Sequence, residues 1–99
     1  MSCKRKVYND LEGIKQYFRK KCAEDAFEKL KVEIWKTCEH LDAFPRAGTP
    51  VRLPQYSDFW FLIVKSYYVF YTISKNTVTV ERIIHTARDL KKALAYFKV

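Results

Sequence analysis

The sequence predicts a single α+β domain, with a helical hairpin packed on a mainly antiparallel sheet and a short helix closing the chain. Three observations carry this reading. Apolar residues recur at helical spacing as far as Leu41, and aromatic and β-branched residues run at strand spacing from Phe59 to His85. Between them lies a short junction bearing two prolines and a glycine, which is punctuation and not an interdomain linker. Helices followed by a run of strands is an α+β order. With 99 residues and 48% hydrophobic content, the chain can bury one core and not two, so residues 1–99 are read as one domain.

In chain order, Arg5 to Tyr8 is read as a short first strand. Asn9 and Asp10 then offer N-cap side chains for a helix over Asp10–Lys21. Leu11, Ile14, Tyr17 and Phe18 form its apolar stripe; Gly13 weakens it without abolishing it. A second helix, Ala23–Leu41, keeps Phe27, Leu30, Ile34, Cys38 and Leu41 on one face, with Glu28, Lys31, Lys36 and Glu39 on the polar side. Trp35 reads equally as a flank of that stripe or as an exposed contact. The tight Lys20-Lys21-Cys22 connection predicts an antiparallel hairpin.

Helical spacing stops at the junction from Asp42 to Pro50. Strands are expected at Phe59–Val64, Tyr67–Ser74 and Thr77–His85, with Lys75-Asn76 as a two-residue turn. Along the last strand, alternation puts Val78, Val80 and Arg82 on one face and Thr79, Glu81, Ile83 and His85 on the other. A final helix is expected from near Ala87, with Leu90, Leu94 and Phe97 on one side.

Composition bounds the function. The formal charge is +8, from 19 Lys and Arg against 11 Asp and Glu, which favours a polyanionic partner such as nucleic acid, a nucleoprotein machine or an acidic protein chain. No apolar run approaches the ~20 residues of a bilayer span, and the basic N-terminus lacks the apolar stretch of a secretory signal, so a cytoplasmic protein with no membrane partner is expected. Three cysteines without paired spacing, and two histidines far apart, suggest neither a disulfide framework nor a metal site. Cys38, on the apolar face, is read as a buried inert thiol.

Three motifs narrow the fold further. Leu41-Asp42-Ala43-Phe44-Pro45-Arg46-Ala47-Gly48-Thr49-Pro50-Val51 resembles the L-x-x-F-P-x-x-G-x-P-V junction of the RelE/ParE superfamily of toxins. Tyr67 to Ile73 is similar to its central Y-x-V-x-Y-x-I strand, and Arg82 to Leu90 to the R-V-L-H-x-A-R-D-L ending of ParE-like members. The three occur in order, and the resemblance covers about Asp10 to Leu90.

The resemblance implies a toxin of a type II toxin–antitoxin system, held inactive by a cognate antitoxin and using no cofactor. ParE-like members act on DNA gyrase and are not themselves nucleases; RelE-like members cut messenger RNA in the ribosome. Metal-free RNA cleavage needs a base for the 2′-hydroxyl proton, cations around the phosphorane and an acid for the leaving group. Where RelE-like patterns carry arginines, this chain has Trp60, Tyr68 and Thr72. The groups left for such chemistry are Arg52, Lys65, Arg82, His85 and Arg88. The favoured reading is a ParE-like gyrase inhibitor, with Arg82, His85, Arg88, Lys65 and Trp60 as contacts to target or antitoxin and His85 as a hydrogen-bonding residue at a strand-to-helix junction. The alternatives are a metal-independent endoribonuclease acting on the ribosome and its mRNA, or a non-toxic interaction domain. Trp60 and Tyr68 are expected in the core, although aromatic rings on a strand can also stack on bases.

Overall fold

Val7 lies four residues before Leu11, and this spacing draws the N-terminal segment into the first helix. The computed structural model describes residues 2–87 and 89–95. Among them, β1 (Ser2–Cys3) leads directly into α1 (Arg5–Lys20), and α2 (Glu24–Ala43) returns antiparallel to it. The expected strand over Arg5–Tyr8 is therefore helix, because Val7 extends the Leu11, Ile14, Phe18 stripe into the core. The strand sits earlier, at two residues that pair in parallel with the last strand. Asn9 and Asp10 do not cap α1; Lys4 occupies the N-cap without a side-chain bond, and Asp10 is freed for another task. Cys22, with φ of 52°, makes the tight reversal of the hairpin.

Beyond a 3₁₀ turn at Pro45–Ala47 come β2 (Thr49–Pro50), a second 3₁₀ turn at Pro54–Tyr56, then β3 (Phe59–Val64), β4 (Tyr67–Ser74), β5 (Thr77–His85) and α3 (Leu90–Ala95). The sheet order is β1-β5-β4-β3-β2, antiparallel except for β1 against β5. Lys75 and Asn76 both take positive φ, 50° and 66°, the backbone that a twist-matched two-residue hairpin turn requires. The last helix begins at Leu90 and not near Ala87: Asp89 Oδ1 accepts the Lys92 N–H at 2.8 Å and so fixes its start. The expected contributions of Arg88 and Phe97 lie outside the described residues.

One bulge corrects the expected facing of β5. Phe70 pairs with Arg82 but Tyr71 pairs with Val80, so Glu81 is an extra residue and the alternation shifts. Ile83 consequently joins Val80 against the hairpin, in a core with Val7, Leu11, Leu30, Ile34, Cys38, Val64, Tyr67 and Val69. Trp35 packs against this core as a flank of the α2 stripe. Leu41, Tyr71 and Val78 continue the same layer. Ile84 turns to the opposite face, where Val51, Tyr56, Phe70, Ala93 and Leu94 form a second core. Both faces of the sheet are thus covered, by the hairpin on one side and by α3 with the Leu53–Tyr56 segment on the other.

The junction motif is held by a single phenol. Tyr71, fully buried on β4, donates its hydroxyl to the Pro45 carbonyl at 2.8 Å and accepts the Gly48 N–H at 3.0 Å. A Cβ at Gly48 would come within 2.5 Å of that hydroxyl oxygen and 2.7 Å of the Phe61 carbonyl. Glycine is required there by close approach. The motif and the aromatic strand are two halves of one contact.

Candidate partner-binding cleft

The functional candidates gather where the C-terminal end of β5 meets the β3–β4 turn and α1. Lys65 opens that turn with φ of 56°, and the Thr86 N–H donates to the Ser66 carbonyl at 2.9 Å, so the turn lies beside His85. Across the strands His85 faces Tyr67, their rings edge-on at 5.0 Å. Asp10 reaches down from α1 and joins the helix to β5. Its Oδ2 accepts Arg82 Nε at 2.8 Å and the Ile83 N–H at 3.0 Å, while Oδ1 accepts Arg82 Nη2 at 2.8 Å. Both side chains are largely buried, at 15% and 13% exposure, which makes this fork worth far more than a surface pair. The bond to Asp10 raises the Arg82 pKa, and burial only partly offsets it.

Two hollows adjoin along this edge. One, of about 500 Å³, lies between α1 and β5 and includes Asp10, Gly13, Tyr17, Arg82 and His85 in its walls. The other, of about 330 Å³, lies between the hairpin and the β3–β4 turn and includes Tyr17, Lys29, Lys65, Tyr67 and His85. They share Tyr17, Tyr67 and His85 and so form one groove with a cationic end.

Of the residues singled out from sequence, the groove collects Arg82, His85 and Lys65. Arg52 follows β2 at the far side of the sheet and lines neither hollow. Trp60 stacks on Tyr71, centroids 6.4 Å apart at 28°, and packs with Leu41 and Val78; Tyr68 packs in the second core. Both are partly buried and pack against the core. Arg88 lies outside the described residues. Asp10, Gly13, Tyr17, Lys29 and Tyr67 belong to the groove without having been marked by sequence. Asp10 resembled a cap because a carboxylate near a helix start usually is one, and its partner lies 72 residues away in sequence.

This arrangement is poorly suited to acid–base chemistry. His85 Nδ1 accepts the Ala87 N–H at 2.8 Å, which in the neutral ring places the proton on Nε2. The outward nitrogen is then a donor and not a base. Arg82 is held in its fork with Asp10, so its charge is met within the fold and not displayed to a phosphate. What the groove offers is shape, aromatic surface and hydrogen-bonding groups, with Lys29 and Lys65 at one end. Among the described residues, no helix is long and apolar enough to cross a membrane, and no cluster of His, Cys, Asp and Glu is placed to hold a metal ion.

Residues 3–90 match the family model described as the ParE toxin of the type II toxin–antitoxin system parDE. The chain belongs to the ParE toxin family. Among solved structures it is similar to a chain of the chromosomal ParDE toxin–antitoxin system from P. aeruginosa, with 20% identity, a TM-score of 0.68, and 86% of this chain and 95% of that one covered. It is also similar to a chain of the RelB–RelE antitoxin–toxin complex from Methanococcus jannaschii, at 16% identity and a TM-score of 0.56, covering 98% and 99% respectively. At these identities the likeness is one of fold, and that fold is the RelE/ParE type expected from the three motifs. No curated protein matches the chain significantly.

Proposed function

We propose that this chain is a growth-inhibiting toxin that binds DNA gyrase and is neutralised by a cognate antitoxin with an acidic, partly disordered segment. The observation that carries the gyrase reading is the Arg82–Asp10 fork beside a His85 whose Nδ1 already holds the Ala87 N–H. A ribonuclease would need a free base and uncommitted cations around one phosphate. The family match supports the toxin role, and the +8 charge supports a strongly acidic partner steered by electrostatics. The two solved structures named above come from antitoxin–toxin systems, which supports an antitoxin partner. Inhibition by binding asks for contact surface and no chemistry, and the groove provides contact surface.

The test is expression of the gene alone and then with the reading frame beside it. Growth arrest with the first and recovery with the second are expected. Normal growth with a folded, soluble chain would replace the toxin with an interaction domain of the same fold.

A further inference from the structure

The excess positive charge of this chain is not spread evenly. Residues 4–21, which make up α1 and its two caps, hold seven of the 19 Lys and Arg against only Asp10 and Glu12, and Asp10 is already bonded to Arg82. The neighbouring helix has the opposite balance: Glu24–Ala43 carries six acids against three lysines. All seven cations of the α1 segment are exposed. Among the described residues, Arg5, Lys15, Arg19 and Lys20 meet no acid partner.

Stability does not account for where these cations sit. α2 opens on Glu24 and Asp25, acids that suit the partial positive charge of a helix start. α1 opens on Lys4, Arg5 and Lys6, with no acid in its first turn and no side-chain cap, so its cations oppose that charge at a cost to the fold. Arg19 and Lys20 crowd the other end. Arg5, Tyr8, Glu12, Lys15 and Arg19 follow helical spacing and share one exposed stripe. At 1.5 Å per residue its ends stand about 21 Å apart. The apolar stripe of the same helix is turned into the core through Val7, Leu11, Ile14 and Phe18, which leaves no apolar face to enter a bilayer.

We infer that the outer face of α1 docks on the phosphate backbone of duplex DNA, its two cationic ends meeting the two strands that border one groove. The inference rests on the gyrase reading above for what the contact serves, a hold on the DNA that gyrase carries. A major groove about 12 Å wide puts both phosphate walls within reach of long Lys and Arg side chains at the two helix ends. Glu12, bonded to Gln16, then falls over the groove and away from both walls. Contacts to phosphate position the chain without reading bases, so binding is independent of sequence. Duplex DNA gains from counterion release at every phosphate met, whereas pairs with a flexible acidic peptide would be exposed and weak.

The test is fluorescence anisotropy of a labelled mixed-sequence DNA duplex, titrated with the full chain free of antitoxin over a series of salt concentrations. Two triple variants of equal net charge are compared with wild type: Arg5→Gln, Lys15→Gln and Arg19→Gln on α1, and Lys36→Gln, Lys91→Gln and Lys92→Gln elsewhere. All six positions are exposed, so both variants should melt close to wild type. The α1 variant should bind at least about tenfold more weakly, and its salt slope should flatten by about 2.7, since each phosphate contact contributes about 0.9. The other variant should stay within about threefold of wild type. Equal weakening by both variants, or unaltered binding by the α1 variant, would overturn the assignment. Tighter binding to duplex RNA or to an acidic peptide than to DNA would also overturn it. The α1 variant should likewise need at least about tenfold more protein to inhibit supercoiling by gyrase. Gyrase inhibited by a chain that binds no DNA would overturn this contact and leave the gyrase reading standing. DNA held through α1 with supercoiling intact would sink the gyrase reading and leave the contact.

Discussion

Replacing Gly48 by alanine should damage this fold more than most single methyl groups can. The added carbon would sit 2.5 Å from the Tyr71 hydroxyl oxygen, 2.7 Å from the Phe61 carbonyl and 3.1 Å from a Tyr71 ring carbon. Tyr71 is fully buried and bonded at both ends of the junction, and the Phe61 carbonyl belongs to β3, so neither neighbour can simply swing aside. Overpacking of this kind costs about 1–3 kcal/mol, and displacing the phenol adds about 0.5–1.5 kcal/mol for each hydrogen bond lost. A total of roughly 2–6 kcal/mol is a large share of the ~5–15 kcal/mol that holds a domain of this size together. It corresponds to a fall in Tm of roughly 10–50 °C, measurable by circular dichroism. Tyr71→Phe should cost about 1–3 kcal/mol by removing both bonds. The two substitutions should couple, because the phenylalanine removes one of the two clashes while the Phe61 carbonyl keeps the other. Gly48→Ala melting within ~2 °C of wild type would refute the close-approach account of the junction.

Four further outcomes are expected. Asp10→Ala leaves Arg82 and the Ile83 N–H without their carboxylate and should cost about 2–4 kcal/mol, whereas Glu28→Ala, which removes the exposed pair with Lys31, should stay within ~0.5 kcal/mol in urea unfolding. His85→Gln preserves an acceptor for the Ala87 N–H, so the melting temperature should hold, and growth arrest should change by a few-fold at most against the ~10²–10⁴ loss expected of a deleted general base. Burial, followed by the nearby Cys3, Asp42 and Glu39, pushes the Cys38 thiol from 9.0 up to about 12. The folded state thus favours the protonated thiol. Its stabilising contribution is complete below pH 9 and is lost as pH rises toward 12, so stability should decline across that window, joined by Tyr67 and Tyr71, whose pKa values burial also raises. Alkylation of the native chain at pH 8.5 should modify exposed Cys22 and spare Cys38, a distinction read by mass spectrometry.

The parts of this fold that were legible in the sequence are those whose pattern repeats. Phe27 to Leu41 repeats a helical stripe, and Phe59 to His85 carries dense β-branched and aromatic runs with polar turns between them, so hairpin, strand ends and the Lys75-Asn76 turn were all readable. A two-residue strand has no period, so Ser2–Cys3 is not legible, and Val7, one apolar residue among charges, does not by itself reveal that the helical stripe begins so early. The bulge at Glu81 inserts a single residue that alternation cannot anticipate, and it sends Ile83 to the face opposite the one expected. The Pro-Gly junction was readable as a redirection of the chain, but its anchor on Tyr71 required the sheet to be assembled. For the cleft, His85, Arg82 and Lys65, marked by local pattern, line the groove, whereas Trp60 packs on Tyr71 and Arg52 lines neither hollow. Asp10 was missed because its meaning comes from a strand edge distant in sequence.

The claim at the centre of this account is that the chain inhibits growth by binding gyrase and not by cutting RNA. Purified toxin should therefore be added to gyrase with relaxed plasmid, and in parallel to a translating ribosome extract, with toxin alone and with toxin already bound to its antitoxin. The account predicts loss of supercoiling by the free toxin, its recovery with antitoxin, and intact messenger RNA throughout. Messenger RNA cut at codons by the free toxin, with supercoiling unaffected, would contradict it.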